Sequence, residues 1–177
     1  MLYAIVALVV VIIDQWVKYW VAGAIPMDSL GETFIPGVVS LVNLHNDGAA
    51  FGFLSGGGAR IYFIILTGVF TVAVILALAT KFISGPVSRW SIVLVTAGGL
   101  SNCLDRVISG YVQDMFKFEL SFLDWFPIFN VADIVITVFC VVFILALFLE
   151  RAPSGDEEFA EDDEEEDRPS RKKRKAK

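Results

Sequence analysis

Four stretches of this sequence are apolar over nearly twenty residues each, and they limit the solvent in which the chain can fold. They cover about 2–21, 61–79, 90–108 and 131–149. A helix needs about 20 such residues to cross the hydrocarbon core of a bilayer. The chain is 56% hydrophobic over 177 residues, with a mean hydropathy of +0.68. That is more apolar side chain than one compact water-soluble core absorbs. Within the first stretch, Leu2–Ile13 alone has the length of a signal-peptide core. No base precedes it, however, and the apolar character resumes after Asp14 as Trp16, Val17, Tyr19, Trp20 and Val21. A retained first span is expected.

The formal charge of −6 divides into two equal halves. Residues 152–177 hold ten acids, Asp156 to Asp167, followed by seven bases, Arg168 to Lys177. Such a segment cannot bury enough apolar surface to offset its ordering entropy, so it reads as a disordered cytoplasmic tail. Residues 1–151 form the membrane body, with ten acids and seven bases of their own. Lys81 and Arg89 lie between spans two and three, and Arg151 with the tail follows span four. Arg60 and Lys117 lie on the other side. The basic excess marks the cytoplasmic face, so both termini are expected inside and the connections 22–60 and 109–130 outside. The fold class is therefore a membrane all-α, four-transmembrane-helix bundle.

Ionisable groups within spans are expensive, which makes each of them a functional candidate. At about 1.5 Å per residue, Asp14 lies roughly 18 Å and Lys18 roughly 24 Å along an outward-running first span. Asn102, Asp105 and Arg106 fall in the last turns of the third, and Asn130 and Asp133 at the start of the fourth. Asp114 follows the third span, and Asn46 is expected in an outer loop. All converge near the outer membrane surface. Each also fits a plainer role. Asp14 and Lys18, spaced i,i+4, suit a helix-surface ion pair, and Asp105 with Arg106 suits a brace between loops. Asp133 suits a helix dipole, and Asn102 and Asn130 suit loop backbone groups. Asp114 sits in the alternating run Tyr111–Phe116, which fits a short strand with solvated polar positions. One shared site explains the whole set more simply than several unrelated defects do.

Several chemistries are excluded. One His and two Cys, Cys103 and Cys140, cannot build an ordinary Cys/His zinc site. Gly99-Leu100-Ser101-Asn102-Cys103 lacks the closing Gly of a nucleophile elbow. Cys103 has no nearby histidine, and His45 reads as a loop or surface histidine. Gly56-Gly57-Gly58 reads as a flexible turn. Carboxylates remain. Two aspartates sharing a low-dielectric site also share a proton, so one can act as base toward water while the other donates to a carbonyl. Asp114 and Asp133 are best placed, with Asn130 three residues before Asp133 to orient it.

Five ordered blocks carry a resemblance. Asp14-Gln15-Trp16-Val17-Lys18 resembles D-x-x-x-K. Asn46-Asp47-Gly48-Ala49-Ala50-Phe51-Gly52 resembles N-x-G-A-A-F, and Gly98 to Arg106 resembles G-A-x-G-N-x-x-D-R. Gly110 to Met115 resembles G-x-V-x-D-F, and Phe129 to Asp133 resembles F-N-x-A-D. Together they resemble the lipoprotein signal peptidase (signal peptidase II) family of bacterial membrane aspartyl proteases, from about residue 10 to 149. Ser101 stands where the pattern has Gly, and Met115 where it has Phe. Both departures bear on local packing.

The resemblance implies a catalytic pair, Asp114 and Asp133. Asn46, Gly48, Asn102, Arg106 and Asn130 would bind substrate, with Asp14, Lys18 and Asp105 as supports. The substrate would be a diacylglyceryl-modified prolipoprotein, cut just before the lipidated cysteine. It also implies a small extracytoplasmic β platform, with Phe34–Asn46 as its outer segment. No metal, cofactor or nucleic acid is expected. The protein would be a monomer in contact with membrane lipid, in the bacterial cytoplasmic (inner) membrane, with its active site near the extracytoplasmic face.

The alternative class is a small proton-coupled transporter or channel subunit, which would need polar residues through the whole bilayer depth. Span two offers only Thr67 and Thr71, and span four has none after Thr137. In the tail, Arg171 to Lys175 could return to an anionic leaflet at about 1 kcal/mol per base. The preferred form is a solvated appendage neutralised by its own acidic run. Deleting residues 153–177 is accordingly expected to leave cleavage of a lipid-modified precursor in membranes intact, and a large loss of activity would contradict this.

Overall fold

The computed structural model describes residues 1–48 and 57–150. The charged tail, Ala49–Gly52 of the second block and Gly56 lie outside the described residues. Four long helices dominate: α1 (Leu2–Ala24), α2 (Gly57–Ala79), α3 (Pro86–Ile108) and α4 (Val131–Leu149). Each is long and apolar enough to cross a membrane. α2 and α3 begin about four residues earlier than hydropathy suggests. Gly57 and Gly58 are the first residues of α2 rather than a turn. Pro86 opens α3, where its missing N–H leaves no intrahelical bond unmade. At the far end of α3, Gly110 takes φ +90, which lets the chain double back toward the sheet.

The helices alternate in direction. The Tyr3 ring packs edge-on against Trp90 at 4.4 Å, so the starts of α1 and α3 lie together. Glu150, just past α4, accepts a bond from the Val87 amide at 2.9 Å and others from Ser88, capping α3 at that same end. At the opposite end, Arg60 of α2 donates to the Val107 carbonyl at 2.8 Å, satisfying one of the orphan acceptors that end α3.

α3 is the central helix, with α1, α2 and α4 all packed on it. It is also the least hydropathic and most buried of the four. In lipid this follows directly: a helix surrounded by protein can carry hydroxyls, and small residues let its neighbours approach. Ser91 and Thr96 return their hydroxyls to Val87 and Ile92 carbonyls of the preceding turn. The outer helices turn Leu8, Ile65 and Leu145 outward, which suits acyl chains and would be a liability in water. α4 comes close to α3 at Gly98. A Cβ there would meet the Ala132 carbonyl at 2.8 Å and Ile136 Cγ1 at 2.7 Å.

At the end where α1 and α3 finish and α4 begins, three antiparallel strands form one sheet in the order β1 (Leu30–Ile35), β2 (Val39–Asn46), β3 (Val112–Phe118). The platform therefore begins earlier than Phe34 and includes a third strand. His45 and Asn46 lie in β2, not in a loop, because β2 stays paired to β3 as far as Asn46↔Val112. His45 stacks on Tyr111 with ring centroids 3.7 Å apart. Beneath the sheet, Val21, Ile25, Leu41 and Met115 form the apolar core joining it to α1. Met115 is wholly buried there, so the unbranched thioether fills this space without disturbing the neighbouring Asp114.

Gly98→Ala is expected to lower the melting temperature in detergent markedly, because the added methyl must push α4 off α3 at a typical cost of about 1–3 kcal/mol. Gly99→Ala is expected to be near neutral, since its Cβ would find only Thr67 Cγ2 at 3.8 Å. Equal behaviour of the two variants would refute this account of the packing.

Candidate active site

The register of β2 on β3 shifts by one residue between Leu41 and Leu44, so β2 carries an extra residue opposite Met115. A bulge of this kind bends its strand and re-aims side chains. Past it, Leu44 pairs with Asp114 and Asn46 with Val112, which makes Asn46 a diagonal neighbour of Asp114. The Asn46 amide donates to Asp114 Oδ2 at 2.8 Å. Its own oxygen accepts the Gly48 N–H at 3.1 Å, which fixes which way the amide points.

On the other side of β3, the segment before α4 joins as a bridge. Phe129 exchanges backbone bonds with Phe116, and its carbonyl also accepts from Met115. The free edge of β3 is thereby covered, and Asn130 arrives beside Asp114. Asn130 is the N-cap of α4, in a reciprocal capping box with Asp133. Its side-chain oxygen takes the Asp133 N–H at 3.0 Å, which leaves Nδ2 to donate to Asp114 Oδ1 at 2.7 Å. Asp133 Oδ2 accepts the Asn130 N–H at 3.1 Å, and Oδ1 accepts Asn102 Nδ2 at 2.8 Å. Each oxygen of both carboxyls thus has one donor, and Asn130 links the pair.

Behind Asn102 lies a buried charge cluster. Lys18 Nζ pairs with Asp14 Oδ2 at 2.6 Å and Asp105 Oδ2 at 2.7 Å, and donates to Asn102 Oδ1 at 2.9 Å. Asp14 and Lys18 are 0% and 4% exposed, so they are not a helix-surface pair. The α1 face that carries them packs on α3, and leaving either charge alone there would be costly. Asp14 Oδ1 accepts the Ala132 N–H at 2.8 Å, tying α1 to the first turn of α4.

Arg106 completes the rim. It donates to the Gly48 carbonyl at 3.0 Å and to the Asn102 carbonyl at 3.2 Å, with its guanidinium 4.7 Å above the Phe63 ring. Asp114, Asp133, Asn46, Gly48, Asn102 and Arg106 line one cavity of about 490 Å³. The rest of its wall is largely apolar, with Val112, Phe118, Phe126, Ile134 and Val138. Asn130 touches both aspartates from beneath. All ten residues singled out in the sequence thus fall in one connected network.

Four further polar residues belong to it or brace it. Gln15 donates to Asp105 Oδ1 at 2.6 Å, and Ser101 donates to Asp14 Oδ2 at 2.6 Å. Asn43 donates to the Ile25 carbonyl at 2.7 Å and accepts from Gln113 at 2.5 Å, locking the sheet to the end of α1. Gln15 is a polar residue inside an apolar span, a signal available in the sequence. The roles of Asn43 and Gln113 depend on the bulge, which no local pattern announces. Gln113 and Asp114 are 7% and 2% exposed, so the polar positions of the run Tyr111–Phe116 are not solvated. Phe129 and α4 cover the side that would otherwise face water.

Burial pushes the Asp114 carboxyl up from its ordinary 3.8 to about 6. The bond from Asn46 opposes the rise, the charge of Asp133 adds to it, and the bond from Asn130 opposes it. A carboxyl that gains and loses its proton near neutrality suits proton transfer.

Residues 6–149 match the family model described as Signal peptidase (SPase) II. A lipoprotein signal peptidase of Streptococcus thermophilus is 41% identical over 138 residues, which is 78% of this chain and 86% of that protein. One from Enterococcus faecalis is 38% identical over 157 residues, covering 86% and 92%. The fold is similar to two solved bacterial membrane enzymes, each 32% identical. Their TM-scores are 0.75, covering 85% of this chain and 89% of the other, and 0.73, covering 86% and 94%.

Because the folded pKa of Asp114 lies above 3.8, the stability tied to its proton is complete below about 3.8 and is lost as pH rises through about 6. Asn46→Ala removes a donor that favours the carboxylate, so the Asp114 midpoint is expected to move higher still. A carboxyl NMR titration in lipid nanodiscs reads this, and an unchanged or lowered midpoint would refute the role of Asn46.

Proposed function

Because this chain belongs to the signal peptidase II family of membrane proteases, we propose that it works as an aspartyl endopeptidase on diacylglyceryl-modified prolipoproteins, with Asp114 and Asp133 as the catalytic pair. The cut falls just before the cysteine that bears the lipid. One observation carries the reading: two carboxyls from separate elements, β3 and α4, face one cavity, with every oxygen held by a donor.

Hydrolysis then needs water and one shared proton. The ionised carboxylate takes a proton from water as the water oxygen adds to the scissile carbonyl. The protonated partner donates to the carbonyl oxygen. Delivery of a proton to the amide nitrogen breaks the C–N bond and releases the signal peptide. The titration belongs to the pair rather than to either member. Arg106 and the Asn46 and Asn102 side chains line the wall where a peptide backbone needs donors and acceptors. Asn130 holds the two carboxyls in register. The apolar wall suits the hydrophobic core of a signal peptide and the acyl chains of the modified cysteine. No metal or cofactor is called for, and one chain holds all the groups required, so the protein acts as a monomer.

The membrane setting follows the same reading. Lys81 and Arg89 mark the end of the bundle opposite the cavity, so that end faces the cytoplasm and the chain is N-in and C-in. The cavity then opens near the extracytoplasmic face of the bacterial cytoplasmic membrane. There a precursor keeps its acyl chains in lipid while its peptide reaches polar groups. Residues 1–151 are the enzyme and residues 152–177 a charged cytoplasmic tail.

Asp114→Asn and Asp133→Asn are each expected to reduce cleavage of a lipid-modified precursor in membranes to background, with insertion unchanged. Full activity in either variant would refute the pair, and cleavage by the native chain of an unmodified precursor at the same rate would refute the substrate class.

A further inference from the structure

We infer that Ser101 is a positioning residue for Asp133, because its hydroxyl closes a ring of hydrogen bonds and ion pairs that holds the backbone just before that aspartate and, through Asn102, its carboxyl. The inference rests on the reading of Asp133 as a catalytic carboxyl. Ser101 lies in α3 and is wholly buried. Its hydroxyl donates to Asp14 Oδ2 at 2.6 Å and accepts from Gln15 Nε2 at 3.2 Å. Gln15 gives its other N–H to Asp105 Oδ1 at 2.6 Å. Asp105 and Asp14 both meet Lys18, at 2.7 and 2.6 Å. The circuit therefore runs Lys18, Asp14, Ser101, Gln15, Asp105 and back to Lys18.

The ring has two outlets. The spare oxygen of Asp14 holds the Ala132 N–H, immediately before Asp133 in the chain. Lys18 Nζ also donates to Asn102 Oδ1, which turns Asn102 Nδ2 toward Asp133 Oδ1. One outlet positions the backbone and the other the carboxyl. Two carboxylates share one ammonium here, so a buried negative charge is left over. Ser101 and Gln15 are the neutral donors that compensate for it, in a medium where unmet acceptors are costly. Without the Ser101 hydroxyl, Asp14 loses a donor and one Gln15 N–H keeps only the Ser101 carbonyl, at 3.4 Å. Asp14 is then free to shift toward Lys18 and away from Ala132. This gives a use to the one departure in the third sequence block that falls inside the network, where Ser101 replaces the pattern's Gly.

The test uses the full chain in lipid nanodiscs with Ser101→Ala, Gln15→Leu and the double variant. Amide hydrogen exchange is read on the 129–135 peptide, and kcat and KM on a lipid-modified precursor. Ser101→Ala is expected to speed exchange at Ala132 about tenfold, with the last turns of α4 unchanged. It should also lower kcat about tenfold with KM unchanged, the cost of one hydrogen bond lost at the transition state. Since both single changes open the same ring, the double variant should be no worse than the more severe single one. Unchanged exchange at Ala132 would overturn the inference whatever the activity, as would additive effects or an unchanged kcat. If exchange rises while the native chain cleaves no precursor, the positioning link stands and the proposed function fails.

Discussion

The ammonium of Lys18 is the group on which the rest of this arrangement depends. A cation 4% exposed within a membrane span is costly unless its charge is paired, and Asp14 and Asp105 pair it while Asn102 accepts from it. That requirement joins α1 to α3, and Asp14 then joins both to α4 through the Ala132 amide. In water such a network would compete with solvent. In lipid, where apolar surface supplies little drive for helices to associate, polar contacts and close packing at Gly98 take over that task.

The bundle follows from the same constraint. α3 carries Ser101, Asn102, Asp105 and Arg106, and it is the helix most enclosed by its neighbours. The polar content of the site therefore dictates which helix is central. The strands serve it in turn. Their bulge and the Phe129 bridge bring Asn46 and Asn130 to opposite oxygens of Asp114. Three asparagines then hold two carboxyls, and each amide is oriented by a partner of its own: Gly48 for Asn46, Lys18 for Asn102, and the Asp133 amide for Asn130.

Much of this was legible in the residues. Runs of apolar side chain reveal membrane helices because backbone polar groups in lipid must be satisfied internally. Polar residues that interrupt those runs stand out for the same reason, which groups Asp14, Asn102, Asp105 and Asp133 from the sequence itself. His45 and Asn46 were harder. A strand a few residues beyond an alternating stretch owes its existence to its partner, here β3, and partner choice is not local. Ser101 looked like a packing substitution, since a serine in a helix ordinarily returns its hydroxyl to its own backbone. Asp14, on another helix, gives it a different use.

The sequence by itself determined that the chain folds in a bilayer, that it has four spans, and that its ionisable residues collect toward one end. Those conclusions rest on the cost of transferring groups between water and hydrocarbon, which each residue carries wherever it lies in the chain. Only the tertiary structure decided that Asp14 and Lys18 are buried rather than facing lipid headgroups, and that Asn130 bridges both aspartates. It also decided that Ser101 and Gln15 complete a ring. Hydrogen bonds depend on distance and direction to within a few tenths of an ångström, and residues 16 to 118 positions apart meet at such distances only once the helices and strands have packed.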